Sequence, residues 1–283
     1  MEILVAKSAG FCFGVEKAIE SVYKEIETGK KPIYTFGPII HNEQVVEDLE
    51  EKGVSVIDTI EELENLQLGS VVIRSHGVPK KIYDAIEKQN LEIVDATCPF
   101  VKKIHNIVKK ESEKGKRIVI IGNDNHPEVE GIKGWVVGEA IVIKDEEDIE
   151  KIDSFRNESI CIVSQTTFNY NKFKYLVEII TKKGYDINVV NTICNATHLR
   201  QVEAKEIASK VDAMIVIGGK NSSNTQKLYD ICKNECKDTY YIQTVSNLNL
   251  KNVDSLRSIG ITAGASTPKK IIEEVVLNVR DEF

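Results

Sequence analysis

Three cysteines are placed in this chain as if for a common task. Cys12, Cys98 and Cys194 lie 86 and 96 residues apart. Each follows a short apolar run that reads as a strand: Leu4-Val5-Ala6, Ile93-Val94-Asp95 and Val189-Val190-Asn191. Each also opens a segment that reads as a helix, and Pro99 suits a first helical position, where its missing N–H costs nothing. A thiol at a helix N-terminus is biased towards thiolate by the dipole and the open N–H groups. Three convergent thiolates suit a soft metal centre. Zinc would take a fourth ligand or a water. A cubane iron–sulfur cluster held by three cysteines leaves one iron open. The competing reading is three separate, buried, inert thiols. The other cysteines read as packing: Cys161 lies inside the apolar run Ile160–Val163, and Cys232 and Cys236 stand at i,i+4 spacing with no further ligand pair nearby.

Polar loops keep the same register. His41, His126 and Ser222 fall 28 or 29 residues past their cysteines, and His76, Thr166 and Ser266 fall 64 to 72 residues past. The segments Gly37–Asn42, Ser75–Pro79, Gly218–Asn224 and Gly264–Pro268 each lead into a helix, and Gly, Ser and Asn at helix N-termini make anion sites. Singly, such loops are ordinary caps. Together, His41, His76, Ser222, Ser223, Asn224 and Ser266 suggest a phosphate or diphosphate held from several sides. None matches a P-loop or a dinucleotide fingerprint, so ATP or NAD binding is not supported. The loop Gly122–Gly131 is different, because it sets His126 two residues before Glu128. A carboxyl desolvated there keeps a proton near neutral pH and can deliver it, and Ser164-Gln165-Thr166-Thr167 supplies hydroxyls to relay it. A capped surface turn is the plain alternative. His105 and His198 read as packing on helix faces.

These loops need a scaffold. Val/Ile-rich runs at Ile3–Ala6, Ile33–Phe36, Val54–Ile57, Val71–Arg74, Ile93–Asp95, Ile118–Ile121, Ala140–Ile143, Ile160–Val163, Ile187–Asn191, Ala213–Ile217, Tyr240–Gln243 and Ile259–Thr262 alternate with amphipathic segments. One example is the stripe Val15, Ala18, Ile19, Val22 and Ile26. Continuous apolar strands alternating with helices indicate α/β architecture with mainly parallel sheets. The repeat predicts three similar lobes around a pseudo-threefold axis, with a metal cluster at the centre. They span 13–97, 98–193 and 194–283, the last completed by the N-terminal strand within 1–12. The acidic stretch Asp145–Asp153 reads as a solvated helix start.

Composition narrows the function. The chain has 283 residues, 42% apolar and 29% charged, with 37 Lys+Arg against 44 Asp+Glu and a net charge of −7. That balance excludes a nucleic-acid partner held by a basic surface. No run approaches the roughly 20 apolar residues that span a bilayer, and the first residues carry no secretory pattern, so no membrane partner and a cytoplasmic location are expected.

As a set, these motifs resemble one family. Gly10-Phe11-Cys12-Phe13-Gly14-Val15, Gly37-Pro38-Ile39-Ile40-His41-Asn42, Arg74-Ser75-His76-Gly77, Asp95-Ala96-Thr97-Cys98-Pro99, His126-Pro127-Glu128, Ser164-Gln165-Thr166-Thr167, Ser222-Ser223-Asn224 and Gly264-Ala265-Ser266 are similar to those of the LytB-type 4-hydroxy-3-methylbut-2-enyl diphosphate reductases, over essentially the whole chain. The resemblance implies one [4Fe–4S] cluster per chain on Cys12, Cys98 and Cys194. It implies reductive loss of the substrate's allylic hydroxyl to give isopentenyl and dimethylallyl diphosphate, in the methylerythritol phosphate route to isoprenoids. It also implies a diphosphate grip by His41, His76, His126, Ser222, Ser223, Asn224 and Ser266. Glu128 then delivers protons, Thr166 helps to hold the hydroxyl, and ferredoxin or flavodoxin is the electron donor. Two rival classes remain: a quinolinate-synthase-like [4Fe–4S] enzyme, which condenses and dehydrates without net reduction, and a cluster-based redox sensor without turnover. A zinc hydrolase is a third.

Overall fold

The computed structural model describes residues 2–249 and 256–281. Its strands are β1 (Glu2–Val5), β2 (Ile33–Phe36), β3 (Val54–Ile57), β4 (Ser70–Ile73), β5 (Glu92–Asp95), β6 (Arg117–Ile121), β7 (Ala140–Ile143), β8 (Ile160–Ser164), β9 (Ile187–Val189), β10 (Ala213–Ile217), β11 (Asp238–Ile242) and β12 (Ser258–Ala263). The helices are α1 (Phe13–Thr28), α2 (Glu43–Glu51), α3 (Ile60–Glu64), α4 (Lys80–Lys88), α5 (Pro99–Glu113), α6 (Pro127–Lys133), α7 (Tyr170–Lys182), α8 (Asn195–Ala208), α9 (Ser223–Glu235) and α10 (Lys269–Asp281).

The strands form three parallel four-stranded sheets in the orders β3-β2-β4-β5, β7-β6-β8-β9 and β11-β10-β12-β1. The α/β reading and the parallel sheets are as expected from the alternating pattern. In each sheet the spatial order is second, first, third, fourth, provided that β1 is counted as the fourth strand of the last sheet. That strand pairs with β12 from Glu2↔Ser258 to Val5↔Ile261, so the chain's first strand fills the place its last strands leave open. The central strands are buried on both faces, as in β4, β8 and β10, which is why their sequences are apolar without alternation. Each fully buried Val or Ile contributes roughly 1.5–3 kcal/mol relative to exposure.

By backbone contacts the chain falls into two compact units. One comprises Met1–Val15, His41–Glu43 and Cys194–Phe283, and the other Glu16–Ile40 and Gln44–Ile193. The larger unit holds the first two sheets, with separate cores around Phe36, Val71, Ile73 and Leu63 and around Val119, Ile121, Ile160 and Ile162. The smaller unit builds its core from Ile215, Ile217, Ile259, Ile261, Ile271 and Val275. Cys161 is buried in β8, and Cys232 and Cys236 pack beneath β10 with Met214 and Val216, as the packing reading requires.

Within each sheet, the first and third strands are adjacent at the centre, and the chain leaves them towards opposite sides. A crevice for ligands opens at the carboxyl ends of such a pair. His41, His126 with Glu128, and Ser222 to Asn224 follow first strands. His76, Thr166 and Ser266 follow third strands. The three cysteines follow fourth strands. No second strand leads to a site residue. The acidic stretch does start a helix, with Asp145 at its N-cap and Glu146, Glu147 and Asp148 in its first turn; the helix, Glu146–Phe155, is 3₁₀ and also buries Ile149, Ile152 and Phe155.

Candidate functional site

In the larger unit the chemistry gathers at the start of α6. His126 caps this helix, its Nδ1 accepting the Glu128 N–H at 3.1 Å. A neutral ring with Nδ1 as acceptor carries its proton on Nε2, so a donor points away from the helix. Glu128 is only 2% exposed. Its two carboxylate oxygens accept the Thr166 N–H and the Thr166 hydroxyl, each at 2.6 Å. Burial pushes the carboxyl up from 4.5 to about 7, against the lowering effect of those two bonds. A carboxyl at that value can both hold and release a proton near neutrality. Thr166, rather than Thr167, faces it; the Thr167 hydroxyl instead accepts from Gln165 Nε2 at 2.9 Å, while Gln165 Oε1 accepts the Asn123 N–H at 3.0 Å. That amide bridges the β6 and β8 loops and fixes the Glu128–Thr166 pair.

His76 stands against His126 with ring centroids 5.5 Å apart in an edge-on arrangement. Its loop is tied down on both sides. The Ser75 N–H and hydroxyl both donate to the Ile39 carbonyl, at 3.2 and 3.0 Å. Gly77 has φ +70°, and a Cβ there would lie 2.6 Å from His105 Cε1. His105 stacks on Trp135, whose Nε1 donates to the Val78 carbonyl at 3.0 Å. Burial pulls the His105 imidazole down to about 4, so it packs as a neutral ring, as its sequence position suggests. The Cys98 N–H donates to the Ser75 carbonyl at 3.0 Å, which sets this cysteine beside the His76 loop.

In the smaller unit the loops after β10 and β12 lock together around Thr225. Its N–H and hydroxyl donate to Ser222 Oγ at 3.3 and 2.9 Å. A Cβ at Gly218 or Gly264 would fall 2.5 or 2.0 Å from Thr225 Oγ1. The Ser266 hydroxyl donates to the His41 carbonyl at 3.2 Å, joining the His41 segment to the same cradle. Ser222 caps α9, and Ser223 and Asn224 form its first turn. Asn224 is 4% exposed, yet neither side-chain polar atom has a hydrogen-bond partner among the described residues. A buried carboxamide left unbonded costs about 1–3 kcal/mol. An open helix N-terminus, hydroxyls and an unbonded amide are together the donor set that an anion would need. The N–H of Cys12 donates to the Ala265 carbonyl at 3.2 Å, so this cysteine borders the Ser266 loop.

The cysteines divide by environment. Cys12, Cys98 and Cys194 are half-buried at helix starts, Cys98 and Cys194 as N-cap residues whose thiols do not cap the helix. Cys12 and Cys194 belong to the smaller unit and Cys98 to the larger. Burial pushes Cys161 up to about 11 and Cys232 up to about 12, which keeps both as thiols. Sequence reasoning missed Gln165 and Thr225. Gln165 stands beside Thr166 in the Ser164–Thr167 motif, whereas Thr225 lies one residue past Ser222-Ser223-Asn224, and its N3 position in a Ser-capped helix is the signal that points to it.

Comparison with known proteins bears on the whole chain. The family model described as LytB protein matches residues 3–280. A 4-hydroxy-3-methylbut-2-enyl diphosphate reductase from Caldanaerobacter subterraneus subsp. tengcongensis is 49% identical over 99% of this chain and 97% of its own length. The protein of the same name from Clostridioides difficile is 46% identical over 98% of each. A solved structure of (E)-4-hydroxy-3-methyl-but-2-enyl diphosphate reductase, the terminal enzyme of the non-mevalonate pathway, is similar over 99% of this chain and 100% of its own at 41% identity, with a TM-score of 0.72. That of the E-1-hydroxy-2-methyl-but-2-enyl-4-diphosphate reductase from Plasmodium falciparum is similar over 98% and 87% at 29% identity, with a TM-score of 0.92.

Proposed function

Because this chain belongs to the LytB protein family, we propose that it reduces 4-hydroxy-3-methylbut-2-enyl diphosphate to isopentenyl and dimethylallyl diphosphate, releasing the allylic hydroxyl as water with two electrons and two protons. The observation that carries this reading is the Glu128–Thr166 pair: a buried carboxyl at about 7 hydrogen-bonded to a hydroxyl at 2.6 Å. Losing a hydroxyl as water needs a proton at that oxygen, and this pair offers one.

The donor set fits an iron–sulfur group. Three half-buried thiols stand at helix starts in equivalent places behind fourth strands, while the other cysteines are buried and protonated. Cys12, Cys98 and Cys194 would hold a [4Fe–4S] cluster, which when bound supplies single electrons and an open Lewis-acidic iron. The chain's own residues do the rest. Ser222, Ser223, Asn224, Ser266 and His41 in the smaller unit, and His76 and His126 in the larger, bind the diphosphate. Fixing that end orients the allyl group, which converts binding into positioning. Thr166 holds the substrate hydroxyl, and Glu128 passes its proton through or beside Thr166 Oγ1. His126, held with its proton on Nε2, donates to the anion and keeps α6 in register with it. With a net charge of −7, attraction of the anion depends on these local donors rather than on the overall field.

No helix among the described residues is long and apolar enough to cross a membrane. A reducing, cytoplasmic setting suits six cysteines that form no disulfide, and a small redox protein such as ferredoxin or flavodoxin would deliver the electrons. As repeats of this design, 13–97, 98–193 and 194–283, the last completed within 1–12, each supply one four-stranded sheet, although by backbone contacts the first two repeats fall largely in one compact unit. The test is oxidation of a chemically reduced dye that depends on the allylic diphosphate. The reading predicts dye oxidation matched by isopentenyl and dimethylallyl diphosphate. A fully loaded protein that oxidises no dye overturns it and leaves the condensing enzyme or the sensor.

A further inference from the structure

Helix α8 carries two side chains that the reaction above leaves unused, and both reach the segment leading to Cys12. Arg200 is 4% exposed. Its Nη2 donates to the Gly10 carbonyl at 2.6 Å, while its Nε has no hydrogen-bond partner among the described residues. Gly10 has φ +102°, a conformation that glycine adopts without strain. Three residues further along, Glu203 accepts the Lys7 N–H at 2.8 Å, the Ser8 N–H at 2.9 Å and the Ser8 hydroxyl. Positions i and i+3 share a helix face. The two side chains therefore bracket Lys7–Gly10 from one face of the helix that begins at Cys194.

A guanidinium this buried gives up hydration worth several kcal/mol, a cost that facing anions offset. Two hydrogen-bond roles are visible here, one to a neutral carbonyl and one unfilled. Burial pulls Arg200 down, and the sulfurs of Cys12 and Cys194, with Glu203, are the groups that stabilise its charge in return. Burial pushes Glu203 up, but its bonds from Ser8 and Lys7 outweigh this and hold the carboxyl below the usual range. A hydrogen-bonded carboxylate is thus kept on one side of the bracket and a cation on the other.

We propose that Arg200 and Glu203 are positioning residues for the iron–sulfur centre: they clamp the Cys12 loop onto α8, hold Cys12 and Cys194 at a fixed separation, and set a buried positive charge against both thiolates. This rests on the reading that those two cysteines are ligands. A fixed cation beside a cluster favours the reduced, more negative state, so the clamp tunes potential as well as geometry.

The test uses cluster-loaded protein under anaerobic conditions, with two readouts: the midpoint potential followed by electron paramagnetic resonance, and the rate of iron loss to a chelator. Arg200→Gln should lower the midpoint so that the oxidised-to-reduced ratio at fixed potential rises about tenfold, about 59 mV for one electron. Arg200→Lys keeps the charge and should return most of that shift. Glu203→Gln and Ser8→Ala loosen the loop and should lose iron severalfold faster, with a smaller change in potential. An Arg200→Gln protein with parental midpoint and parental iron loss overturns the proposal. Should Arg200→Gln take up no cluster, the other variants decide it: parental iron loss in both Glu203→Gln and Ser8→Ala overturns the clamp. Failure of the underlying reading looks different, since Cys12→Ser and Cys194→Ser would then keep the parental iron content and spectrum.

Discussion

Glu128→Gln should move stability and turnover in opposite directions. Burial lifts this carboxyl from 4.5 to about 7 in the folded chain, whereas in the unfolded chain it titrates near its ordinary value. Between those values the folded state binds more protons than the unfolded one. Its stability therefore falls as pH rises through that window, and the loss is complete above it. The difference amounts to about 3 kcal/mol at pH 8. Glutamine carries no charge and fits the same partners, with Oε1 accepting the Thr166 N–H and Nε2 donating to Thr166 Oγ1. The variant should be more stable than the parent at pH 8, with Tm higher by about 5 °C or more, and this advantage should shrink towards pH 5. Turnover loses its proton source, and kcat should fall on the order of 10²–10⁴-fold. For the parent, kcat should decline as pH rises through about 7, because the acid form is the donor. The assays are thermal unfolding of the loaded protein at the two pH values and dye-linked turnover. A Tm difference independent of pH refutes the buried-carboxyl argument, and near-parental kcat removes Glu128 from proton delivery.

Other changes test other parts of the site. Asn224→Ala relieves the cost of a buried carboxamide with no partner among the described residues but leaves a cavity of opposite effect, so stability without substrate should change by less than about 1 kcal/mol, while KM rises about 10–100-fold for one lost bond to a charged group; unchanged KM would take Asn224 out of the cradle. Cys98→Ser should abolish stable iron binding, whereas Cys161→Ala should keep the parental iron content and lose about 1 kcal/mol of stability from a small cavity; iron analysis and denaturant unfolding separate the two. Gly218→Ala would drive a Cβ to 2.5 Å from Thr225 Oγ1 at φ +155°, so it should raise KM and lower Tm, and parental values for both would contradict the close packing of the two loops.

Much of this architecture can be read from the chain itself. Strands buried on both faces announce themselves as unbroken Val/Ile runs, and all twelve positions proposed for strands carry one. The fourth strand of the second sheet is shorter than its pattern. Val190 makes one more ladder bond, to Ile162, and Asn191 then turns its carboxamide to the Ile193 N–H. The acidic stretch is legible as a helix start but not for its buried face, since its charges mask Ile149, Ile152 and Phe155. Their spacing of three is the period of a 3₁₀ helix. The loop register located His126, Glu128 and Thr166, because repeated loops occupy the same ends of equivalent strands. What the sequence does not carry is desolvation. Nothing in His-Pro-Glu states that Glu128 is enclosed, and an Arg and a Glu on one helix face read as solvated until the fold brings Lys7–Gly10 to them.

The central claim is a cluster-dependent reduction of an allylic diphosphate. The direct measurement is anaerobic purification with iron and sulfide analysis, an electronic spectrum before and after adding 4-hydroxy-3-methylbut-2-enyl diphosphate, and turnover with a reduced dye. The account predicts a brown protein with near four irons and four sulfides per chain, a spectrum that shifts with substrate, and both isomeric diphosphates as products. A colourless protein after anaerobic reconstitution, or a loaded one whose spectrum and dye are indifferent to the substrate, would contradict it.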